Sequence, residues 1–192
     1  MDELSLHILD LIQNSISANA KFIEIEVVED DERDFISICI KDDGNGMDEE
    51  ELKMAVDPFF TTKGNKKVGL GIPLLKQSAL HCDGDFWLKS KKKEGAMIFA
   101  KFRKSHIDTP PLGDMVSTIV SLIPLCDRVD IKFKYIKNKR EFVFDSREIK
   151  RELEGLPFTN LEVLKFIKNY VKENLREIEK TKGGKDDKRG CY

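Results

Sequence analysis

Two polar residues one helical turn apart are the first in this chain whose pairing could do chemistry. Asp10 and Asn14 are separated by four positions in a segment with apolar residues at helical spacing, so they share one helix face. An amide oxygen is a hard ligand, and Mg²⁺ prefers oxygen donors while it keeps several of its waters. Asn14 is therefore a candidate magnesium ligand. A helix with Asp and Asn on its solvated side would explain the same pair without chemistry.

A glycine-rich turn, Asp42-Asp43-Gly44-Asn45-Gly46-Met47, follows a predicted strand. Gly44 and Gly46 would let the backbone turn tightly and let a flat ring come close. Met47 is a polarizable apolar residue that is suited to packing against such a ring. A plain Asp/Gly turn is the simpler interpretation. A calcium loop is disfavoured because the ligand spacing of a twelve-residue site is absent.

Two later motifs could hold phosphate. The first, Pro58-Phe59-Phe60-Thr61-Thr62-Lys63, opens a polar, lysine-rich segment over 61–68 that predicts a mobile loop. Lys63 could approach a phosphate, or it could be a solvated loop lysine. The second, Gly69-Leu70-Gly71, stands at the start of a predicted helix, where backbone N–H groups and the helix dipole favour anions.

In this order and spacing, the four motifs resemble the ATP-binding boxes of the GHKL superfamily. That superfamily comprises gyrase-type topoisomerases, heat-shock chaperones, histidine kinases and MutL-type mismatch-repair ATPases, and the resemblance covers roughly residues 1–104. It implies a two-layer α/β sandwich that binds ATP and Mg²⁺. It further implies that Asn14 holds the magnesium that bridges the phosphates, and that Asp42 accepts a hydrogen bond from the adenine amino group.

The same resemblance assigns roles to the remaining motif residues. Asp10 stands where the hydrolysing members place a glutamate that activates water, so it is the candidate catalytic residue. The segment with Phe60, Thr62 and Lys63 resembles the phenylalanine box of histidine kinases, which begins a lid over the nucleotide. A lid over 57–68 that is ordered by ATP is therefore expected. The helix that carries Asn14 looks more MutL-like.

Three activities are compatible with these motifs. The chain could be a kinase catalytic module whose phosphoacceptor is on another protein, because it has no dimerising helix pair with an acceptor histidine. It could be a slow ATPase. It could be an ATP-gated interaction switch without significant catalysis, in which nucleotide state sets partner binding. A structural domain with decayed motifs is disfavoured, since Asn14, Asp42 and the motif glycines are intact.

Periodicity predicts the elements that must position these residues. A helix is expected over 3–18 and a hairpin over 22–28 and 35–41. Asp48 with Glu51 forms a capping-box pattern that opens a short helix ending at Pro58. A further helix with Pro73 in its first turn runs to His81, and two strands follow at 86–90 and 96–102.

A second segment follows a Pro-containing connection over 105–113. It predicts a smaller α+β module at 112–180, with a helix at 112–123, strands at 128–136 and 140–145, and helices at 147–154 and 160–180. Thr159 with Glu162 is the expected cap of the last helix. The order of helix, hairpin and Asp over 4–42 recurs over 112–145, which suggests a degenerate repeat. Residues 181–192 are expected to be a disordered tail.

The composition limits which binding partners and which cellular compartment are expected. The 192 residues are 40% hydrophobic, with a net charge of −2, which gives no whole-chain reason to expect nucleic acid or membrane binding. The four cysteines show no C-x-x-C spacing, and no apolar run approaches 18 residues. A reducing, cytoplasmic setting is therefore expected, while the oligomeric state is left open.

Overall fold

A computed structural model describes residues 3–57 and 70–180. The predicted lid over 57–68, and with it Phe60, Thr62, Lys63 and also Gly69, lies outside these residues apart from Asp57. The predicted tail at 181–192 is outside them as well.

The described chain contains six α-helices and six strands. In the first segment these are α1 Leu4–Ser17, β1 Phe22–Asp30, β2 Phe35–Asp42, α2 Glu49–Ala55, α3 Gly71–His81, β3 Asp85–Lys91 and β4 Gly95–Arg103. In the second they are α4 Met115–Leu122, a 3₁₀ helix Ile123–Asp127, β5 Asp130–Lys137, β6 Arg140–Asp145, α5 Ser146–Glu152 and α6 Leu161–Glu179. Each predicted helix and strand of the described residues is present, with ends that differ by a few positions.

The described strands form one sheet with the order β3-β4-β2-β1-β5-β6. All neighbouring pairs are antiparallel except β1 and β5, which run parallel with residues 22–29 opposite 130–137. The hairpin β5–β6 therefore extends the sheet of the first segment. The division into a domain at 1–104 and a module at 112–180 stays a prediction.

Helices α1, α3, α4 and α6 pack on one face of this sheet. In β1 the alternation of buried and half-buried residues puts Ile23, Ile25 and Val27 on the helix-facing side. They share one hydrophobic core with the buried residues of α1, α3, α4 and α6. The expected two-layer α/β sandwich is confirmed.

Two helix starts differ from the predicted ones. Thr159 is the wrong cap for α6, because the Asn160 side chain accepts hydrogen bonds from the N–H groups of Glu162 and Val163. Helix α4 begins at Met115 and not at 112, because the Asp114 side chain caps it by accepting from Ser117 N–H. The capping box of Asp48 and Glu51 at α2 is confirmed.

Hydrogen bonds to a buried carboxylate join the second segment to the first. Glu29, at the end of β1, accepts hydrogen bonds from Tyr135 of β5 and from Lys104, which follows β4. Lys137 lies 3.5 Å from the same carboxylate. Burial would raise the pKa of Glu29, but these hydrogen bonds and the Lys137 charge together hold it below its ordinary value.

Among the described helices, none is both long and apolar enough to cross a membrane.

Candidate functional site

Helix α1 carries the predicted metal and catalytic residues side by side. Asn14 Nδ2 donates a hydrogen bond to Asp10 Oδ2 at 3.4 Å, and both side chains are half-buried. The expected shared helix face is therefore present. Because the amide nitrogen points to Asp10, the Asn14 amide oxygen is left without a donor among the described residues and can serve as a ligand.

Asp42, the last residue of β2, is anchored from three sides. Ser15 Oγ donates to Asp42 Oδ2 at 2.7 Å, while the N–H groups of Gly44 and Ala96 donate to Oδ1 at 2.9 and 3.3 Å. All three partners are donors, so the geometry fits an ionised carboxylate. Asp42 is half-buried and not fully buried, which leaves room for a further donor at its oxygens.

Ser15 is the residue that sequence reasoning missed. It is buried, and it follows Asn14 directly in α1, so one helical turn presents both the candidate metal ligand and the anchor of Asp42. No neighbouring residue in the sequence indicates this role of Ser15, because its partner Asp42 is 27 residues away.

A row of residues across three strands lies beside Asp42. The strand register places Asp42 opposite Ala96 and Ala96 opposite Ser90. The Ser90 hydroxyl donates to the Gly95 carbonyl at 2.7 Å and accepts from Met47 N–H at 2.8 Å. The backbone of Met47 is thus tied to the β3–β4 hairpin, with its side chain half-buried.

The turn glycines act mainly through close backbone approaches. Gly46 has a φ of +63°, and a Cβ there would overlap the Lys91 carbonyl. A Cβ on Gly44 would stand 2.9 Å from the Ala18 carbonyl oxygen. Asn45 N–H donates to that same carbonyl at 2.8 Å, so the turn docks against the end of α1. These contacts keep Asp42 beside Ser15.

The start of α3 meets Asp10. Gly71 is buried, and any side chain at this position would overlap the Asp10 carboxylate. Leu70, the residue before it, is 39% exposed. Gly71 and Ile72 are in the first turn, where N–H groups have no partner within the helix. Pro73 is the third helical residue and has no N–H to satisfy, as expected.

One neutral imidazole lies next to this group. His7 is one turn before Asp10 in α1 and is buried. Burial lowers the pKa of His7 more than the nearby Asp10 carboxylate raises it, so the ring carries no charge at neutral pH. The acidic character of the site therefore comes from Asp10 and Asp42.

The structure brings together Asp10, Asn14, Asp42, Gly44 and Gly71, which were predicted from three separate parts of the sequence. An amide oxygen, two carboxylates and a helix N-terminus are the chemical groups that a nucleotide phosphate with Mg²⁺ and an adenine amino group require. The residues present fit that ligand. Phe60, Thr62, Lys63 and Gly69 lie outside the described residues.

Comparisons with known proteins show which family the chain resembles. Residues 2–106 match the family model described as "Histidine kinase-, DNA gyrase B-, and HSP90-like ATPase". The chain is 30% identical over 97 residues to Sporulation kinase C of Bacillus subtilis, a match that covers 50% of this chain and 22% of the kinase. It is 27% identical over 164 residues to the DNA mismatch repair protein MutL of Halothermothrix orenii, covering 81% of this chain and 25% of MutL.

The fold also resembles those of solved structures. The Aquifex aeolicus MutL ATPase domain complexed with ADP matches with a TM-score of 0.50 and 15% identity, over 93% of this chain and 69% of that one. At this identity the likeness concerns the fold alone. The two curated relatives are much longer than the parts that match, since the chain covers only about a quarter of each at most.

Proposed function

The chain belongs to the family of histidine kinase-, DNA gyrase B- and HSP90-like ATPases, and we propose that it binds ATP with Mg²⁺ and hydrolyses it slowly. The observation that carries this proposal is the pairing of Asp10 with Asn14 on the helix that also anchors Asp42. Asn14 and Asp42 mark the two ends of the nucleotide site, the phosphates and the adenine.

Each end has a residue suited to its ligand. The Asn14 amide oxygen would hold Mg²⁺, which would neutralise charge on the phosphates. The first-turn N–H groups of α3 at Gly71 and Ile72 would face the same phosphates. At the other end Asp42, already held by Ser15 and Gly44, would accept from the adenine amino group. Guanine presents an acceptor at that position, so the site would prefer adenine.

Asp10 is the proposed general base for hydrolysis. The hydrogen bond from Asn14 engages Oδ2, which leaves Oδ1 to take a proton from a water molecule. That water would form a bond to the γ-phosphorus, and the bond from this phosphorus to the β-phosphate bridging oxygen would break to release ADP. Gly71 lets the start of α3 lie against this carboxylate, which would keep it close to phosphates bound at the helix N-terminus.

A kinase activity is the second candidate. The similarity to Sporulation kinase C, which extends over 97 residues, favours it. In that case a hydroxyl or imidazole group on a partner protein would attack the γ-phosphorus in place of water. An ATP-gated switch without turnover is the remaining alternative, in which nucleotide binding alone changes partner affinity.

Incubation with γ-labelled ATP separates the three activities. Free labelled phosphate above the buffer background supports the ATPase, and Asp10→Asn should reduce it by roughly 10²–10⁴-fold with ATP affinity retained. Gln13→Ala, an exposed position on the same helix, is the matched control. Label on a partner protein would indicate the kinase. Binding without either product would overturn the hydrolysis proposal and leave the switch.

A further inference from the structure

The face of the sheet opposite the helices is divided into two halves of different chemistry. Over β1, β5 and β6, its charged residues pair with each other: Lys132 Nζ lies 2.8 Å from Glu24, and Lys134 lies 3.8 Å from Glu26 and 3.2 Å from Glu141. Over β2, β4 and β3 the face carries aromatic and basic side chains. We call this second half the aromatic-basic face and define it by Trp87, Phe99, Lys41, Lys89 and Lys101.

The strand register arranges this face in rows. One row across the three strands is Cys39, Phe99 and Trp87, in which the two rings stack with centroids 5.2 Å apart and planes 14° from parallel. Both rings are half-buried, although they lie on the face away from the core. Stacked rings at a partly exposed sheet surface form a platform for another flat group.

Cations lie on both sides of the ring row. The next row in one direction places Lys41 and Lys89 on either side of Met97, and the next row in the other direction contains Lys101. The Lys89 ammonium is 4.8 Å from the centre of the Trp87 ring. All three lysines are exposed, and in the described ranges no carboxylate lies within ion-pair distance of them.

One acid accompanies these rows. Asp85 lies opposite Lys101 at the edge of the sheet, and its carboxylate accepts a hydrogen bond from Phe86 N–H. The excess of basic groups on this half does not show in the whole-chain net charge of −2, because acidic residues elsewhere in the chain offset it. A local anion-binding surface is therefore compatible with an acidic chain.

We propose that the aromatic-basic face binds single-stranded nucleic acid. Bases would stack on the Trp87–Phe99 pair, and phosphates would contact Lys41 and Lys89 on one side and Lys101 on the other. Three strands span about 10 Å, which accommodates about two nucleotides. An acidic protein segment would satisfy the lysines but would not use the rings. The inference is independent of the proposed ATP chemistry, which concerns the helix-facing side.

Fluorescence gives a direct test, because Trp87 is the only tryptophan in the chain. Titration of the full chain with a ten-residue oligothymidylate should quench this fluorescence, with a Kd on the order of 10⁻⁵ M at low salt. Three neutralised phosphates predict a slope of about −2 for log affinity against log salt concentration. Absence of quenching and of anisotropy change with labelled oligothymidylate would overturn the proposal.

Two matched pairs of variants locate the site. The double variant with Lys89→Gln and Lys101→Gln should make the slope of log affinity against log salt concentration shallower by about 1.4 units. The double variant with Lys132→Gln and Lys134→Gln, on the paired half of the same face, should leave this slope unchanged. Trp87→Ala should weaken binding roughly 5- to 100-fold, and Trp87→Phe should restore most of the loss. Thermal unfolding of each variant confirms that it is folded.

Three results of these experiments would contradict the proposal. Equal losses in the two lysine pairs would show non-specific attraction and contradict a defined face. If an oligoglutamate peptide competes as well as oligothymidylate and Trp87→Ala has no effect, the occupant is an acidic protein segment and the nucleic-acid proposal is wrong. A change in ATP affinity in the Lys89, Lys101 variant would contradict the independence of the two faces.

Discussion

Ser15 Oγ donates a hydrogen bond to Asp42 Oδ2 at 2.7 Å, joining α1 to the end of β2 across 27 residues of sequence. Asn14 precedes Ser15, so the candidate magnesium ligand and the anchor of the candidate adenine acceptor are consecutive residues. The two ends of the proposed nucleotide site are thereby held at a fixed separation by one helical turn. This relationship makes separate predictions for each of the three residues.

Asp42→Asn should greatly weaken ATP binding while the protein stays folded. Three donors surround the carboxylate, so an amide at this position must direct its own N–H₂ group at a donor or at the adenine amino group. The expected loss is about 1.5–3 kcal/mol or more, or roughly 10- to 100-fold in affinity. Calorimetry measures it, and Asp43→Asn is the neighbouring control. Unchanged ATP affinity in the folded Asp42 variant would contradict the assignment.

Ser15→Ala should weaken ATP binding less than Asp42→Asn does. The variant keeps the carboxylate but removes the donor that orients it, and a hydrogen bond to a charged group contributes about 1.5–3 kcal/mol. Part of this loss affects folding and part affects binding, so the Tm and the affinity are measured together. Ser17→Ala, an exposed serine in the same helix, is the control. If Ser15→Ala lowers only the Tm, Ser15 stabilises the fold without orienting Asp42 for the ligand.

Asn14→Ala should remove the magnesium-dependent part of ATP affinity. The amide oxygen is the expected metal ligand, and the variant also loses the hydrogen bond to Asp10. ATP titrations with and without Mg²⁺ should therefore give nearly equal affinities for the variant and different affinities for the wild type. Gln13→Ala should retain the full magnesium effect. If Asn14→Ala keeps the full magnesium effect, other residues bind the metal.

Glu29→Gln should lower the free energy of unfolding at neutral pH by about 1–3 kcal/mol, because Lys104 loses a charged partner in a partly buried place. The folded-state pKa of Glu29 lies below the ordinary value of 4.5, so its ionised form stabilises the fold above that pH. The stabilisation is lost as pH falls through the folded-state pKa. The difference between wild type and variant should accordingly be constant near neutral pH and shrink below about pH 4.5.

Chemical denaturation at a series of pH values checks this prediction. Glu32→Gln is a suitable control, since Glu32 and its partner Lys139 are 82% and 86% exposed and their ion pair should contribute little. A difference between wild type and the Glu29 variant that persists unchanged at pH 3 would show that the carboxylate charge is not the cause.

Local patterns in the sequence were enough to predict the helices and strands. The apolar spacing of Leu4, Ile8 and Leu11 matches α1, and the alternation of Ile23, Ile25 and Val27 matches the buried face of β1. The capping box at Asp48 depends on residues three apart, so it too is readable from sequence. The wrong cap at Thr159 is a one-residue error between two adjacent residues that can both cap a helix.

Contacts between residues that are far apart in the chain could not be predicted from the sequence. The Ser15 to Asp42 hydrogen bond depends on how α1 lies on the sheet, and neither residue has a local neighbour that indicates it. The parallel pairing of β1 with β5 joins residues 108 positions apart, and the described part of the connection contains α2, α3 and five other elements. Propensity and periodicity describe single elements and do not determine which strand lies beside which.

The parallel pairing of β1 with β5 has a consequence for the part of the chain that matches the ATPase family. A fragment ending after residue 106 would turn β1 into an edge strand, with one side of its backbone unpaired over residues 22–29. That strand alternates Ile and Val with acidic residues and contains no proline. Exposed edges of this kind template the addition of further strands, so the isolated fragment should be prone to self-association and aggregation. The hairpin β5–β6 then acts as a built-in protective cover for the nucleotide-binding half.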